Sequence, residues 1–488
     1  MTAKKYANKN LLGKKVAPTQ DLIGKVPDEL NARLAALVLC LAVQQERSLA
    51  QKQECLNRLS KQDRGYALEL LMGSLRCYLP LKLKVRQCFS KPLRKQDAWL
   101  ESWLILGLYQ LVYMGSPSHA IVHSSVELVR ALGFDHLIGL TNGVLRTLHR
   151  ELEPLLANKH DDELHQWLSL KPHDYLNELH WIYAIIFADW KPHFIDIMRQ
   201  FQQQPPLTLR INQKQITLEA YEALLMAEQI ECNRSQQVKW TPMCLKLAKS
   251  QNVELLPGYE LGYFSVQDFS AQQAPMVLVE YLRRYELLQP GLKVLDACAA
   301  PGGKTAALLE LLPDTAQVHA VEIDPERITR VHTNLQRLQL NGDRVKVICA
   351  DLVEPHADID KVRAQGGYDA ILLDVPCSGT GVIARHPDIL WCRRQRDIAV
   401  LVETQRQLLQ RTEALLKPGG LLLYATCSIL KAENDDNIQW YIDNLSQSLK
   451  AIPLDEHVGQ PQLYGSQRLP IPGQEGDGFY YALFRKQR

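Results

Sequence analysis

Two cysteines carry the most specific chemistry this sequence offers. Cys377 lies in Asp374-Val375-Pro376-Cys377-Ser378-Gly379-Thr380-Gly381, and Cys427 lies in Tyr424-Ala425-Thr426-Cys427-Ser428. Each follows a short apolar run of the kind that forms a buried strand, and each is followed by serine. A thiolate is a strong nucleophile. A single cysteine at such a position is as a rule a small packed hydrophobe. Two of them, presented in the same way at two strand ends, point to one shared site, with Asp374 beside it.

A third stretch, Cys298-Ala299-Ala300-Pro301-Gly302-Gly303-Lys304-Thr305, places glycines directly after a strand, where a ligand can approach backbone N–H groups at a helix N-terminus. Gly303-Lys304-Thr305 matches the end of a phosphate-binding loop, but that loop needs glycine where this chain has Cys298, and the dinucleotide pattern of three spaced glycines is absent. A ligand with an adenosine and no phosphate fits better, and S-adenosyl-L-methionine is one. Three acids fall at successive strand ends: Glu322 for ribose hydroxyls, Asp351 for the adenine side, and Asp374. The interval from Gly302 to Glu322 is that of a ribose-binding carboxylate. Each acid alone could equally cap a loop or helix; their recurrence favours the ligand.

The elements that must position these groups alternate strand and helix from about Gln289. Strands are expected at Val294–Asp296, Val318–Ile323, Val345–Cys349, Ile371–Leu373 and Leu421 onward. A helix is expected at Ala306–Leu312, another carrying Ile328, Val331, Leu335 and Leu338 on one face, and a long one up to the Lys417-Pro418-Gly419-Gly420 break. Such alternation means a mostly parallel, doubly wound α/β sheet.

A chain of 488 residues is long for one core, and the domain-size prior suggests about three. The sequence divides into a basic tail over 1–27, expected to be a solvated disordered segment, a helical domain over 28–170, a small α+β module over 173–280, and the α/β domain over 281–488. Leu34, Val38 and Leu41 share one helical face, as do Leu71, Leu75 and Tyr78, and Leu104, Leu108 and Leu111. Residues 155–175 read as a linker, and Leu207–Asn212 as a half-buried strand. Trp181, Trp190 and Trp240 are more readily core residues than stacking platforms for bases.

With 46% hydrophobic and 23% charged residues and a net charge of +2, the composition is that of a globular protein whose nucleic-acid contacts must be local patches. One candidate is Arg385, His386, Arg393, Arg394 and Arg396 with Trp391, just after the Cys377 loop; its plain alternative is a solvated charged surface. The longest apolar run, Leu34–Val43, is too short to span a bilayer, and no signal-peptide core opens the chain, so a cytoplasmic, membrane-free protein is expected. Eleven cysteines without a C-x-x-C pair fit neither a disulfide scaffold nor a zinc site.

The stretches Gly107–Tyr113, His119–Leu132 and Thr141–Arg146 resemble the NusB-like family of RNA-binding helical bundles. Asp296–Thr305, Asp374–Ser378 and Tyr424–Ser428 resemble the signature motifs of RNA 5-methylcytosine methyltransferases. Together with Gly381–Trp391, the chain from about residue 28 is similar to the RsmB (Sun) family of bacterial 16S ribosomal RNA 5-methylcytosine methyltransferases. The Lys-rich tail and Glu rather than Asp at position 322 depart from that pattern.

The resemblance implies an all-α NusB-like front domain and a class I, Rossmann-like methyltransferase domain. The cofactor would be S-adenosyl-L-methionine, held by Cys298, Ala299, Ala300, Pro301, Gly302, Gly303, Lys304, Glu322, Asp351 and Asp374. It makes Cys427 the nucleophile that adds to carbon 6 of cytosine, Cys377 the assistant in product release, and Asp374 a hydrogen-bond partner of the ring-nitrogen edge. The implied partner is 16S ribosomal RNA or a partly assembled small subunit, bound by a monomer, with the target base out of its stack. A DNA cytosine methyltransferase would use the Pro-Cys cysteine, leaving Cys427 without a task. An amino-group methyltransferase would carry a different loop at Asp374. A non-catalytic RNA-binding assembly factor, or an enzyme acting on another RNA, are the remaining alternatives.

Overall fold

The computed structural model describes residues 18, 26–45, 53–157, 161–178, 180–235, 241–446 and 448–487. The basic tail, over 1–17 and 19–25, and Trp240 lie outside the described residues. Two compact units divide the chain. The first is residues 1–184 with 201–204 and 383–394; the second is 185–200, 205–382 and 395–488.

The first unit is helical, with helices Asp28–Gln44, Lys61–Arg76, Tyr78–Gln87, Trp99–Tyr113, Ser118–Ala131 and Ile138–Ala157. Trp99–Tyr113 is apolar nearly all round, and Leu100, Trp103, Leu104, Ile105, Leu106 and Leu108 are fully or almost fully buried in it; a helix of that composition belongs at the centre of a bundle. The segment expected to be a linker is helical instead, continuing through Asp161–Leu168 and Pro172–Asn177. Its Leu164, Trp167 and Leu168 follow helical spacing and pack on the bundle core.

Residues 383–394 also belong to this unit. Arg76 donates to the Ala384 carbonyl at 2.7 Å, and Trp391 meets Tyr78 edge-on at 5.3 Å. Trp181 donates to the Arg393 carbonyl at 3.4 Å. Trp391 and Trp181 are therefore used in packing. Arg385 and Arg393 are half-buried, while His386, Arg394 and Arg396 are exposed.

The second unit contains a four-stranded antiparallel sheet: β1 (Thr208–Ile211), β2 (Cys232–Arg234), β3 (Cys244–Leu247) and β4 (Phe264–Val266), in the order β2-β3-β1-β4. Helix Leu218–Ala227 packs on it through Leu218, Tyr221 and Leu225. Buried Arg210 of β1 reaches Glu310 at 2.8 Å and the Gly303 carbonyl at 2.7 Å, and Asn212 reaches the Leu338 carbonyl at 3.2 Å.

The main sheet contains β5 (Lys293–Ala297), β6 (Gln317–Glu322), β7 (Val345–Cys349), β8 (Tyr368–Asp374), β9 (Leu416–Thr426), β10 (Leu449–Ile452), β11 (Gln460–Pro461), β12 (Ser466–Arg468) and β13 (Phe479–Lys486). Its order is β11-β12-β13-β9-β8-β5-β6-β7, with β10 on β13. Strands β5 to β9 are parallel, whereas β13 runs antiparallel beside β9. Their apolar runs are buried between two core layers, Val294, Leu372 and Leu423 facing one and Leu295, Ile371 and Leu422 the other, the alternation a two-faced strand requires. Strand order reverses between β5 and β8. The crevice at the carboxyl ends of these two strands is where open α/β sheets bind ligands.

Candidate active site

The registers bring the chemically capable residues to one edge of the sheet. Ala297 pairs with Leu373 and with Val321, Glu322 with Cys349, and Asp374 with Ala425. The loops after β5, β6, β8 and β9 thus leave side by side, carrying Cys298–Gly303, Glu322, Cys377 and Cys427.

After β5, Cys298 turns the chain at φ 64° and Gly302 at φ 96°, and helix Gly303–Leu311 begins. Glycine is required at position 302, since a side chain is disfavoured at that φ and a Cβ would lie 3.2 Å from the Val331 backbone. The loop is tied down from outside: Glu322 accepts from the Ala300 N–H at 3.2 Å and the Asp324 N–H at 3.1 Å, and Asn334 donates to the Pro301 carbonyl at 2.7 Å. Arg327 reaches Glu322 at 3.4 Å and the Ala300 carbonyl at 3.3 Å. The Cys298 thiol is pushed well up, by burial first and then by Asp374, Glu322 and Asp296; it stays protonated and packs.

Lys304 and Thr305, which a phosphate loop would turn toward its nucleotide, are committed inward. Lys304 Nζ pairs with Asp374 Oδ2 at 2.5 Å, and the Thr305 hydroxyl donates to Asp296 Oδ2 at 2.5 Å. Burial works against the Lys304 ammonium, but the Asp374 carboxylate, then Cys427 and Asp296, outweigh it and raise its pKa. Asp296 is fully buried, its Oδ1 has no hydrogen-bond partner among the described residues, and its pKa is pushed up to about 7 by burial above all.

The two thiols meet. Cys377 Sγ and Cys427 Sγ are 3.3 Å apart across 50 residues of chain, and both are half-buried. The Cys377 thiol is raised well above its ordinary range by its hydrogen bond to Cys427, then by burial and by the charges of Cys427 and Glu433. Behind them the loops interlock. Gly381 N–H donates to the Cys427 carbonyl at 2.9 Å and Gly478 N–H to the Gly381 carbonyl at 3.0 Å. A Cβ on Gly381 would sit 2.1 Å from the Gly478 oxygen.

Among the sequence-derived candidates, Lys304, Asp374, Cys377 and Cys427 are therefore linked directly by contact or charge, and Glu322 fastens the glycine loop. Asp351 is exposed and accepts from the Val353 N–H at 3.0 Å, a local turn contact. Trp190 is core, its indole donating to the Ile429 carbonyl at 2.6 Å. Sequence reasoning missed Glu433, buried behind both cysteine loops; the one signal was the serine after each cysteine, which needs an acceptor when buried.

The donor set suits one ligand class. The glycine loop's own cation is neutralised by Asp374, while Glu322 Oε2, bonded to the Ala300 N–H, keeps a lone pair for a further donor, so a phosphate is disfavoured and a hydroxyl could be accommodated. The sheet with its reversal at β5 and β8 and the glycine turn after β5 are those of an S-adenosyl-L-methionine-dependent methyltransferase.

Known proteins fix the family. Residues 287–485 match the model of the 16S rRNA methyltransferase RsmB/F, residues 30–150 that of the NusB family, and residues 180–254 that of the ferredoxin-like domain of RsmF/B-like methyltransferases. Ribosomal RNA small subunit methyltransferase B of Pasteurella multocida is 37% identical over 93% of this chain and 95% of its own. The protein of that name from Sodalis glossinidius is 38% identical over 88% and 91%. A solved methyltransferase homolog from Pyrococcus horikoshii, 27% identical, superposes with a TM-score of 0.53 over 65% of this chain and 100% of its own. The chain belongs to the RsmB/F family of 16S rRNA methyltransferases.

Proposed function

We propose that this protein methylates carbon 5 of a cytosine in 16S ribosomal RNA through a covalent adduct to Cys427. The observation that carries the reading is the 3.3 Å approach of Cys377 and Cys427 beside the Lys304–Asp374 pair. Carbon 5 of cytosine is a weak nucleophile until a thiolate adds to carbon 6. Lys304, paired with Asp374, lies in the field of Cys427, and an ammonium beside a cysteine favours its use as the attacking sulfur.

S-adenosyl-L-methionine, which Glu322 and the 298–303 loop would hold, would supply the methyl group as an electrophilic sulfonium. Addition of the Cys427 thiolate forms a bond to carbon 6 and places an electron pair on carbon 5. After methylation the carbon 5 proton passes to a base, the carbon 5–carbon 6 double bond re-forms and the carbon 6–sulfur bond breaks. Cys377 S–H then hydrogen-bonds the departing sulfur, and Asp374, held by Lys304, accepts from the base edge. The base must leave its stack to enter, which favours an unpaired nucleotide or a partly assembled subunit. Such a substrate is met in the cytoplasm; no helix among the described residues is long and apolar enough to cross a membrane. A monomer suffices, because one chain supplies every group invoked.

The test is a cysteine exchange. Cys427→Ala should neither methylate RNA nor become linked to it. Cys377→Ala should attack, transfer the methyl group and then stall as a protein–RNA species that survives a denaturing gel. The reverse pattern, with Cys427→Ala accumulating the shifted band, would overturn the assignment.

A further inference from the structure

We propose that Glu433 is a positioning residue that clamps the Cys377 loop and the Cys427 loop at their working separation. The inference rests on the two-cysteine reading above. Glu433 sits in a short turn (Lys431–Glu433) after β9 and is fully buried. A carboxylate so placed must be saturated with donors. Oε1 accepts from the Ser378 N–H at 2.8 Å and from Gln405 Nε2 at 3.3 Å; Oε2 accepts from the Ser378 hydroxyl at 2.5 Å and the Ser428 hydroxyl at 2.6 Å. Ser378 and Ser428 each directly follow one of the cysteines, which accounts for the Cys-Ser repeat at the two strand ends.

Around this carboxylate the hydroxyls close into a cluster. Ser378 Oγ lies 3.2 Å from Ser428 Oγ, and Thr380 Oγ1 lies 3.0 Å from Ser428 Oγ. The Ile429 N–H donates to Thr380 at 3.1 Å and the Leu430 N–H to Ser428 at 3.0 Å. Gln405 links the carboxylate to the Pro376 carbonyl at 3.0 Å. One buried anion thus orders the residues on both sides of Cys377 and the residue after Cys427, and charge-assisted hydrogen bonds of this kind are the strong ones.

The clamp is unequal. Ser378 gives Glu433 both its N–H and its hydroxyl, whereas Ser428 gives only its hydroxyl. The Cys427 strand end has other anchors: its carbonyl receives the Gly381 N–H, the Ser428 carbonyl receives Asn434 Nδ2 at 2.9 Å, and Tyr480 of β13 pairs with Thr426. Loss of Glu433 should therefore displace Cys377 more than Cys427. The step that depends on Cys377, release of the adduct, should suffer more than attack and methyl transfer.

The experiment follows single turnovers with radiolabelled S-adenosyl-L-methionine and ribosomal RNA, reading methyl transfer and the decay of the covalent species separately, beside the parent and Cys377→Ala. For Glu433→Ala, adduct decay should slow at least tenfold while methyl transfer and cofactor affinity stay within threefold. Glu433→Gln keeps one acceptor for the Ser378 N–H and the shape of the clamp, and rotated hydroxyls can receive its amide; decay should return to within threefold of the parent. A Glu433→Ala enzyme that releases its product at the parental rate overturns the proposal, as does Glu433→Gln stalling as severely as Glu433→Ala. If Glu433→Ala does not fold, Ser378→Ala, which removes one arm, should slow decay threefold or more, and parental decay there overturns it equally. Should Cys377→Ala itself fail to stall, the two-cysteine reading falls; should it stall while Glu433→Ala does not, only the clamp falls.

Discussion

Glu322→Gln separates loop support from ligand recognition. The native carboxylate gives one oxygen to the Ala300 N–H and the other to the Asp324 N–H, at 3.2 and 3.1 Å, with Arg327 at 3.4 Å. The amide has one acceptor, so one of these N–H groups faces a donor. An unsatisfied buried donor costs about 1–3 kcal/mol, which should appear as a lower melting temperature. A ribose hydroxyl bound to the carboxylate loses a charged acceptor worth about 1.5–3 kcal/mol, or roughly a 10- to 100-fold weaker Kd for S-adenosyl-L-methionine. Titration calorimetry with the cofactor and with S-adenosylhomocysteine reads the second effect, and scanning calorimetry reads the first. A variant that melts lower yet binds both ligands with parental affinity would leave Glu322 as a tie between strand and loop and remove it from the ribose.

Three further outcomes are expected. Asp296, with a pKa pushed to about 7 by burial against about 3.9 when unfolded, keeps a proton in the native state that the unfolded chain has lost. Stability should therefore fall as pH rises from about 4 to 7 and level off above; Asp296→Asn should remove this slope, and a melting-temperature difference from the parent that is constant from pH 5 to 8 would refute it. Arg210→Ala strands buried Glu310, both side chains being 6% exposed, and should cost about 3–5 kcal/mol in chemical denaturation; a loss under 1 kcal/mol would refute the buried-pair account. Arg394→Ala with Arg396→Ala, at exposed positions, should flatten the logarithmic salt dependence of RNA affinity by about 1.4, and an unchanged slope would return that surface to ordinary solvation.

The strands β5 to β8 were legible because each carries a short apolar run, closed after β8 by Pro376, which has no N–H to continue a ladder. The approach of Cys377 to Cys427 was legible only as a parallel between two strand ends, since pairing across 50 residues is decided by sheet order. Glu433 was not legible. It stands in Lys431-Ala432-Glu433-Asn434-Asp435-Asp436, where composition says solvent, and its burial follows from the two serines that tertiary structure brings to it. The same failure of composition made the stretch around Trp167 look like a linker: its charges hid three apolar residues at helical spacing. Residues 479–484, Phe-Tyr-Tyr-Ala-Leu-Phe after a glycine, are by contrast a plain strand signal.

That strand, β13, has a consequence for the integrity of the sheet. It is the outer hydrogen-bonding partner of β9 from Leu421 to Thr426, and β10 and β12 join the sheet through β13 alone. Proteolytic removal of Phe479–Lys486 would strip four strands, β10 to β13, from the sheet at once and turn the Cys427-bearing strand into a bare apolar edge. Such an edge is a template for intermolecular pairing. Damage at this one segment should therefore register as aggregation of the protein before it registers as a slower enzyme.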